Sequence, residues 1–299
     1  MTYGNMLRAA TLVLFVWAAS PKAVVSGQDS PATIQQRVLK VEASADDPLV
    51  NHPLTPVLRF AYRRLAALEV DIRDFTCTLI KRERINGELS GYQYIDLKVR
   101  TRQEEANGVT PLSVYARFTK PASVAGREVL FVENKNEGKV LARRGGTRLS
   151  YVTTSVEPDG PLALRDSRNP ITEVGICNLI RRLIERAESD IQHDEVHVAY
   201  YKDSRINDRP CTQIVVTHPV PRDYFLFSRA EIFIDNEMNI PVRYVAYTWP
   251  TQPGGPELLQ EEFTYTNLQL NVGLADADFS AENPAYMFYR RDDEDAGDK

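Results

Sequence analysis

Apolar residues recur at every second position through most of this chain, and short polar turns separate the alternating segments. The clearest case is residues 231–247, EIFIDNEMNIPVRYVAY, in which Asp235-Asn236 begins a polar connection. The apolar positions that share a face are Ile232 and Ile234 before the connection and Val242, Tyr244 and Ala246 after it. Alternation at period two on both sides of a short connection is typical of an antiparallel β-hairpin. A chain built mainly of such hairpins forms an antiparallel sheet.

The alternation predicts about eleven strands. They are residues 71–85, 91–101, 112–118, 127–133, 139–144, 148–153, 195–201, 210–217, 224–235, 241–248 and 258–270. Asn86-Gly87 is the strongest turn signal, because a type I′ turn needs a positive φ at both central residues. Residues 54–68 and 172–189 instead repeat apolar positions at three and four, which predicts two amphipathic helices. The expected fold class is mainly β (α+β), with both helices covering the concave side of a strongly curved sheet.

The first 27 residues have the composition of a signal peptide. Arg8 supplies a positive charge, residues 9–19 (AATLVLFVWAA) are apolar, and Pro21 ends the run. The run is much shorter than the ~20 residues that span a bilayer, so it fits a signal peptide better than a membrane anchor. Cleavage is expected before Gln28, with Ser26 as an alternative site, and a buried N-terminal helix is the other interpretation. No later stretch is apolar enough for a membrane helix, so an exported, periplasmic protein is expected.

Charge and cysteine content restrict the function further. Loss of residues 1–27 removes two basic residues and no acid, which leaves 34 basic and 41 acidic residues. A net negative chain is unsuited to nucleic acid or to anchoring on an anionic membrane. Cys77, Cys177 and Cys211 allow three different single disulfides or none, and their spacing does not choose between these. We expect ordinary buried thiols.

No motif for catalysis or cofactor binding stands out. His193 and His197 are four residues apart, but Asp194 stands where the zinc-protease motif requires Glu. The alternation around Val196 places His197 on a strand, where residues four apart lie about 13 Å from each other, too far to share one zinc ion. There is neither a G-x-S-x-G nucleophile elbow nor a phosphate-binding glycine loop. We expect no catalytic residue, no metal and no cofactor.

Bulky residues in the predicted strands remain as the candidate ligand-binding surface. They are Phe118, Phe131, Tyr151, Phe225, Phe227, Tyr244, Phe263 and Tyr265. Two interpretations stay open. These side chains fill a barrel or sandwich core, or part of them line a cavity, because a barrel too wide for its own side chains leaves a space that binds apolar ligands.

Three ordered segments carry a resemblance to a known family. They are FTCTLIKRERINGELSGYQYIDLKVR, VYARFTKPASVAGREVLFVENKNEGKVLA and DGPLALRDSRNPITEVGICNLI. They resemble an exported bacterial family, best known from planctomycetes, that is catalogued as domain of unknown function 1571. The resemblance covers residues 54–284 and implies no assigned activity.

The opening hairpin, with the later ELLQEEFTYTNLQLNVGLADADFSAENP, is similar to the C-terminal half of the periplasmic lipoprotein carrier LolA and its relatives. In those proteins a strand ends in ID, a short turn leads to P-V/I-R, and a later F…NP closes the domain. The RFTKP of residues 117–121 also fits their pattern. The resemblance implies an unclosed antiparallel barrel whose apolar concave face is covered by helices. The loops at 202–209 and 250–256 and the acidic C-terminus depart from the carrier.

Three function hypotheses remain. The first is a non-catalytic periplasmic binder or carrier of a lipid, an acyl chain or a lipoprotein, with the two helices as the lid of the cavity. The second is a structural or protein-interaction module of the cell envelope with a filled barrel, and the third is an enzyme without a recognisable motif. The expected organisation is a signal peptide (1–27), an irregular segment (28–52), one LolA-like β domain (53–289) and a disordered acidic tail (290–299). Nothing in the sequence indicates the oligomeric state.

Overall fold

The computed structural model describes residues 51–106, 108–146 and 151–289. Within these ranges the chain forms two α-helices, α1 (Thr55–Asp71) and α2 (Ile176–Asp190). The strands are β1 (Asp74–Ile85), β2 (Glu88–Leu89), β3 (Gln93–Arg100), β4 (Gln103–Glu105), β5 (Gly108–Thr110), β6 (Ser113–Lys120), β7 (Glu128–Val132), β8 (Val140–Arg143), β9 (Thr153–Val156), β10 (His197–Ile206), β11 (Arg209–Thr217), β12 (Arg229–Asp235), β13 (Pro241–Thr248) and β14 (Leu258–Leu270).

Twelve strands form one antiparallel sheet. The order is β10-β11-β12-β13-β14-β1-β3-β6-β7-β8-β9, and β2 pairs with the end of β1. The pairing of β1 with β14 joins the two halves of the chain in the middle of the sheet. β9 and β10 are its edges and do not pair with each other within the described residues, while β4 and β5 form a separate hairpin. The expected mainly β, unclosed antiparallel architecture with two helices is thereby confirmed.

Two tight turns account for much of the hairpin geometry. Asn86 (φ 51°) and Gly87 (φ 86°) connect β1 to β2, as the Asn-Gly pair predicts. Asn207 (φ 50°) and Asp208 (φ 63°) connect β10 to β11 in the same way. The expectation of a long loop at residues 202–209 is therefore wrong, because β10 continues to Ile206. As an edge strand with most side chains exposed, β10 lacks the alternation of buried positions that reveals interior strands.

Two other predicted boundaries also differ from the structure. A strand was expected over 148–153, but β9 begins at Thr153, and residues 147–150 lie outside the described ranges. A strand was expected from 224, but β12 begins at Arg229. The apolar residues before it fold inward instead, since Phe225 and Phe227 pack against the ring of His218. The alternating apolar residues at 225 and 227 are therefore buried in a loop and do not belong to a paired strand.

The two helices pack against each other and against one face of the sheet, which we call the inner face. The buried stripe of α1 comprises Leu58, Tyr62, Leu65 and Leu68, and that of α2 comprises Ile176, Cys177, Ile180 and Ile184. Both follow the spacing of three and four that predicted them. Gly175 (φ 134°) separates α2 from a short 3-10 turn at Ile171–Glu173, so the helix starts four residues later than expected. The main core lies between the helices and the inner face.

The opposite, outer face of the sheet carries a second core. Tyr115, Leu130 and Val132 project from β6 and β7 and pack against three residues that follow β14, namely Phe279, Tyr286 and Phe288. The rings of Tyr115 and Tyr286 stack with centroids 3.8 Å apart. The Asp74 carboxylate accepts hydrogen bonds from the backbone N–H groups of Gly273 and Leu274 and so fixes the start of this C-terminal segment.

The three cysteines are free and buried, so the expectation of unbridged thiols is confirmed. Within the described ranges no helix combines the length and the apolar character needed to cross a bilayer. The predicted signal peptide, nearly all of the irregular segment 28–52 and the predicted tail 290–299 lie outside the described residues.

Candidate ligand cavity

A cavity of about 400 Å³ lies between the inner face and the chain that covers it. Its sheet wall is formed mainly by β1, β3, β6, β8, β9 and β14. The apolar side chains of this wall include Leu79, Ile95, Leu97, Phe118, Phe263 and Tyr265. They project inward because successive strand residues face opposite sides, so each strand contributes every second residue. The result is a mostly aliphatic and aromatic surface inside the fold.

The opposite wall is formed by residues 157–175, which we call the cover segment, and by the first two turns of α2. Leu162, Ile171 and Val174 of the cover segment and Leu179 of α2 face the cavity. The expectation that both predicted helices would form the lid is corrected in this respect. The described residues of α1 do not line this cavity and instead border a second, smaller one. The larger space is closed by irregular chain, which has no periodic pattern to predict it.

Buried charges hold the cover segment against the sheet. Lys81 and Glu83 are inward-facing residues of β1, 8% and 2% exposed, and their charged atoms are 2.6 Å apart. Lys81 donates to the hydroxyl oxygen of Ser167 at 3.1 Å, and the backbone N–H of Arg168 donates to Glu83 at 3.1 Å. Buried charges are costly unless they are paired, and these pairs use the cover segment as their partner.

Glu261 of β14 belongs to the same cluster. Arg168 donates its Nε–H to the carboxylate of Glu261 at 3.2 Å. Burial raises the pKa of Glu261, while Arg182 and Arg168 act in the opposite direction. Burial likewise raises the pKa of the Tyr265 phenol, which stays neutral in the cavity wall. The cluster thus attaches the cover segment to the sheet, and burial within it disfavours the ionised form of Glu261.

A second charged group stands at the opening of the cavity. The cavity lining includes Arg127, Arg144 and Arg165 with one carboxylate, Asp166, and the exposure of Arg144 and Arg165 to solvent marks this side as the opening. Arg127 and Arg165 both donate to Asp166, and the Arg127 guanidinium also lies 5.2 Å from the centre of the Phe118 ring. Burial acts to raise the pKa of Asp166, but the two guanidinium groups outweigh it and lower the pKa. We call these four residues the opening cluster.

The predicted ligand-binding residues lie in several places. Phe118, Phe263 and Tyr265 line the large cavity, and Tyr244 stacks parallel to Phe263 with centroids 6.5 Å apart. Phe227 lines the smaller cavity, and Phe131 lies in the main core. Phe225 stacks on His218, away from both cavities, and Tyr151 is 50% exposed before β9. Sequence reasoning missed the charged residues of the cavity, although Lys81 and Glu83 lie on the same face of β1 as Leu79.

The smaller cavity, of about 70 Å³, lies between α1, α2 and strands β11 to β13. Its apolar lining includes Leu58, Ala61, Ile180, Ile214 and Ile232. This is the part of the inner face that the two helices do cover. Because the helices fill the space here almost completely, the two halves of the inner face differ: one is packed and the other is hollow.

Two of the histidines, His193 and His218, pack against aromatic rings. His218 is fully enclosed, with Nδ1 2.9 Å from the Phe227 carbonyl oxygen and Nε2 3.4 Å from Asp190. Burial lowers the pKa of His218. His193 stacks on the ring of Tyr224, while His197 is exposed at the start of β10. In the described ranges, no three His, Cys, Asp or Glu side chains come together as a metal site would require.

Comparison with known proteins identifies a family. A family model described as a protein of unknown function (DUF1571) matches residues 72–288. This range contains all fourteen strands, α2, the cover segment and the C-terminal segment of the outer face. No curated protein matches the sequence.

Several solved structures share a distant likeness. A lipoprotein of Mycobacterium tuberculosis, LppX, is 12% identical with a TM-score of 0.38 and aligns over 74% of this chain and 98% of its own. A DUF1329 family protein from Desulfovibrio piger is 13% identical with a TM-score of 0.37, over 77% and 98% of the two chains. A LolA superfamily protein from Nitrosomonas europaea is 10% identical with a TM-score of 0.29, over 74% and 97%.

Proposed function

We propose that this chain, which belongs to the DUF1571 family, is a non-catalytic binding or carrier protein for a lipid, an acyl chain or the acyl chain of a lipoprotein. The observation that carries the proposal is the cavity of about 400 Å³ between the sheet and the cover segment. Sites for small molecules commonly have volumes of about 300–1,000 Å³ and mostly apolar walls. The proposal rests on this geometry and not on the distant structural likenesses.

The chemistry of the walls favours an apolar occupant. Ile95, Leu97, Phe263 and Tyr265 present hydrocarbon and aromatic surface to the cavity. Moving such surface and a ligand methylene out of water stabilises the complex by roughly 0.8 kcal/mol per methylene group. An apolar space without an occupant also forfeits dispersion contacts of its lining, which an acyl chain restores. A flexible hydrocarbon chain can follow these apolar walls.

A filled interaction module is the less favoured alternative. It requires the side chains of the sheet to occupy the whole inner space, as they nearly do beside α1, where only about 70 Å³ remains. The half of the sheet under the cover segment is different, since its cavity is several times larger.

A binding role is also favoured over an enzymatic one by the state of the ionisable groups. The described residues that line the cavity include neither His nor Cys. Each of the three carboxylates in the lining, Glu83, Asp166 and Glu173, is in an ion pair with a basic residue. The enclosed His218–Asp190 pair lies at the far end of α2, with its ring between Phe225 and the Phe227 carbonyl. These groups support packing and charge balance rather than acid–base catalysis.

The proposal includes export. The N-terminal pattern, which is typical of a signal peptide, supports export to the periplasm, where a carrier with an apolar cavity would move a water-insoluble chain through an aqueous space. The free buried cysteines are compatible with that compartment because burial protects thiols from oxidation.

Native mass spectrometry and lipid extraction of the mature protein, together with titration of a dansyl-labelled fatty acid, test the proposal. We expect a co-purifying lipid and saturable probe binding. Ala116→Phe inserts a bulky side chain into the cavity wall and should weaken probe binding by about fivefold to a hundredfold, because overpacking costs about 1–3 kcal/mol.

Ala199→Phe is the matched control, since Ala199 is exposed on the edge strand β10 and should leave probe binding unchanged. Circular dichroism and thermal unfolding verify that both variants fold. Failure of the wild-type protein to carry any lipid or to bind the probe would contradict the proposal, as would equal binding by the wild-type protein and Ala116→Phe.

A further inference from the structure

The charges at the cavity opening are unbalanced. The opening cluster contains three guanidinium groups and one carboxylate. Arg127 Nη2 and Arg165 Nη2 donate to the same oxygen, Oδ2 of Asp166, at 3.1 and 3.2 Å. Arg127 also donates its Nε–H to the backbone carbonyl of Arg144 at 3.4 Å, which brings β8 into the group. The Arg144 side chain takes part in no ion pair within the described ranges.

Elsewhere in the lining two ion pairs balance their charges, and the buried Arg143 donates to the Gly126 carbonyl oxygen. Lys81 pairs with Glu83 at 2.6 Å, and Arg182 pairs with Glu173 at 3.5 Å. The opening therefore carries the larger part of the excess positive charge of the lining. It stands out because the whole chain has a formal net charge of −5.

The position of the cluster gives the cavity a polar and an apolar end. Arg144 and Arg165 are exposed to solvent, whereas Ile95, Leu97 and Tyr265 of the sheet wall are buried. A ligand that fits both ends has a charged head at the opening and a hydrocarbon chain inside. Two guanidinium groups converge on the Asp166 carboxylate, and guanidinium groups bind the oxygens of carboxylates and phosphates in this way.

We propose that the cavity selects amphiphiles with an anionic head group, a carboxylate or a phosphate, held by Arg127, Arg144 and Arg165. The inference rests on the proposed function and adds to it the chemical class of the ligand. Asp166 competes with the ligand head for the same guanidinium groups and so sets the strength of the preference. The net negative charge of the chain does not oppose this, because electrostatic attraction near the opening is governed by charges within about 8 Å at physiological salt.

The test compares four ligands with the same dodecyl chain: dodecanoate, dodecyl phosphate, dodecanol and dodecyltrimethylammonium. Each is titrated below its aggregation concentration in displacement of an uncharged fluorescent acyl probe. We expect the two anions to bind about tenfold more tightly than dodecanol, as hydrogen bonds to a charged group contribute about 1.5 kcal/mol or more. The cation should bind least tightly. The carboxylate and phosphate arms show which head group is preferred.

Single substitutions separate a head-group contact from a general effect on folding. Arg144→Ala and Arg165→Ala should each weaken dodecanoate binding about two- to fivefold and leave dodecanol unchanged, as expected for partly exposed charges. Asp166→Asn should tighten the binding of both anions, since it removes the competing carboxylate. Arg205→Ala, on the distant edge strand β10, should change nothing.

Equal affinity for dodecanoate and dodecanol, with no response to the three opening-cluster variants, would overturn the head-group inference and leave the proposed acyl-chain function intact. A weaker anion affinity in Asp166→Asn would also overturn it. If none of the four ligands binds, the proposed function and the inference both fail.

Discussion

Glu83 of β1 and Glu261 of β14 are direct partners in the strand register, and both side chains are buried. Two like charges opposite each other destabilise a sheet unless cations compensate them. Lys81 compensates Glu83 within the sheet, and Arg168 joins both carboxylates from outside it, because its backbone N–H binds Glu83 and its guanidinium binds Glu261. The two carboxylates on neighbouring strands are therefore the site at which the cover segment is attached to the sheet. Without that segment, the two carboxylates would lose these hydrogen bonds.

Arg168→Ala should loosen the cover segment. The substitution leaves the Glu261 carboxylate, on the cavity side, without the guanidinium and also removes the bond from Arg168 to the Arg84 carbonyl. We expect a loss of about 1–3 kcal/mol in the free energy of opening of residues 157–175. Hydrogen–deuterium exchange of peptides from this segment measures the change, with faster exchange expected there and unchanged exchange in β11 and β12.

Arg165→Ala is the control for this experiment because it lies in the same segment but is more exposed and bonds only to its neighbour Asp166. Equal exchange rates in the Arg168→Ala and Arg165→Ala variants would show that the Glu83–Glu261 pair does not anchor the segment.

Glu261→Gln should change how stability depends on pH. Burial raises the pKa of Glu261 in the folded protein. A raised pKa means that the unfolded chain ionises first, so stability from this group is complete below about pH 4.3 and declines as pH rises through the folded value. Gln cannot ionise, so the free energy of unfolding of the variant relative to wild type should increase from pH 4 upward and then level off.

Urea unfolding of both proteins at several pH values measures this difference. Glu88→Gln, an exposed carboxylate in the neighbouring turn, should give a flat difference. A difference for Glu261→Gln that decreases with pH would mean that Arg168 and Arg182 dominate over burial and that the pKa shift has the opposite sign.

The cysteines should be chemically inert in the folded protein. Burial raises the pKa of Cys77 to about 12 and that of Cys177 to about 12. Only the thiolate reacts with iodoacetamide, so at pH 8 neither residue should be labelled under native conditions. In denaturant all three thiols should react, because none is bridged. Intact-mass analysis counts the adducts, and an Ala199→Cys variant on the exposed face of β10 verifies the reagent. Rapid native labelling of Cys77 would contradict its burial.

The parts of the fold that the sequence predicts well are those in which one face is buried and the other is solvated. Ile95, Leu97 and Val99 of β3 alternate with polar residues and are all buried, and both helices show their apolar stripes. The Asn86-Gly87 turn is readable because its backbone conformation restricts the residue type. Where these conditions fail, as in the exposed edge strand β10, the local pattern contains no information on pairing.

The candidate site could be predicted only in part, for a related reason. Phe118, Phe263 and Tyr265 share the inner face because they belong to strands, and their place in the cavity follows from alternation. The contribution of Ser167 and Arg168 depends on where irregular chain crosses the sheet, and no periodicity encodes that path. A run of mixed charges on a paired strand is typical of a solvated surface, yet Lys81 and Glu83 are buried because the cover segment supplies partners for both.

Glu128 should be among the most sensitive positions on the outer face. It is 1% exposed. Its carboxylate accepts a hydrogen bond from the Tyr115 hydroxyl at 2.9 Å and another from the backbone N–H of Met287 at 2.8 Å. It thus ties the C-terminal segment to β6 and β7. Glu128→Ala leaves the buried Tyr115 hydroxyl and the partly buried Met287 N–H without this acceptor, so we expect a loss of about 2–6 kcal/mol in the free energy of unfolding, at about 1–3 kcal/mol for each unsatisfied group. Tyr115→Phe removes only one bond and should cost about 0.5–1.5 kcal/mol.

Glu137→Ala, which breaks an exposed pair with Lys139, should stay within about 0.5 kcal/mol of wild type. Urea unfolding with intrinsic fluorescence orders the three variants, and an effect of Glu128→Ala no larger than that of Glu137→Ala would show that Glu128 does not hold the C-terminal segment.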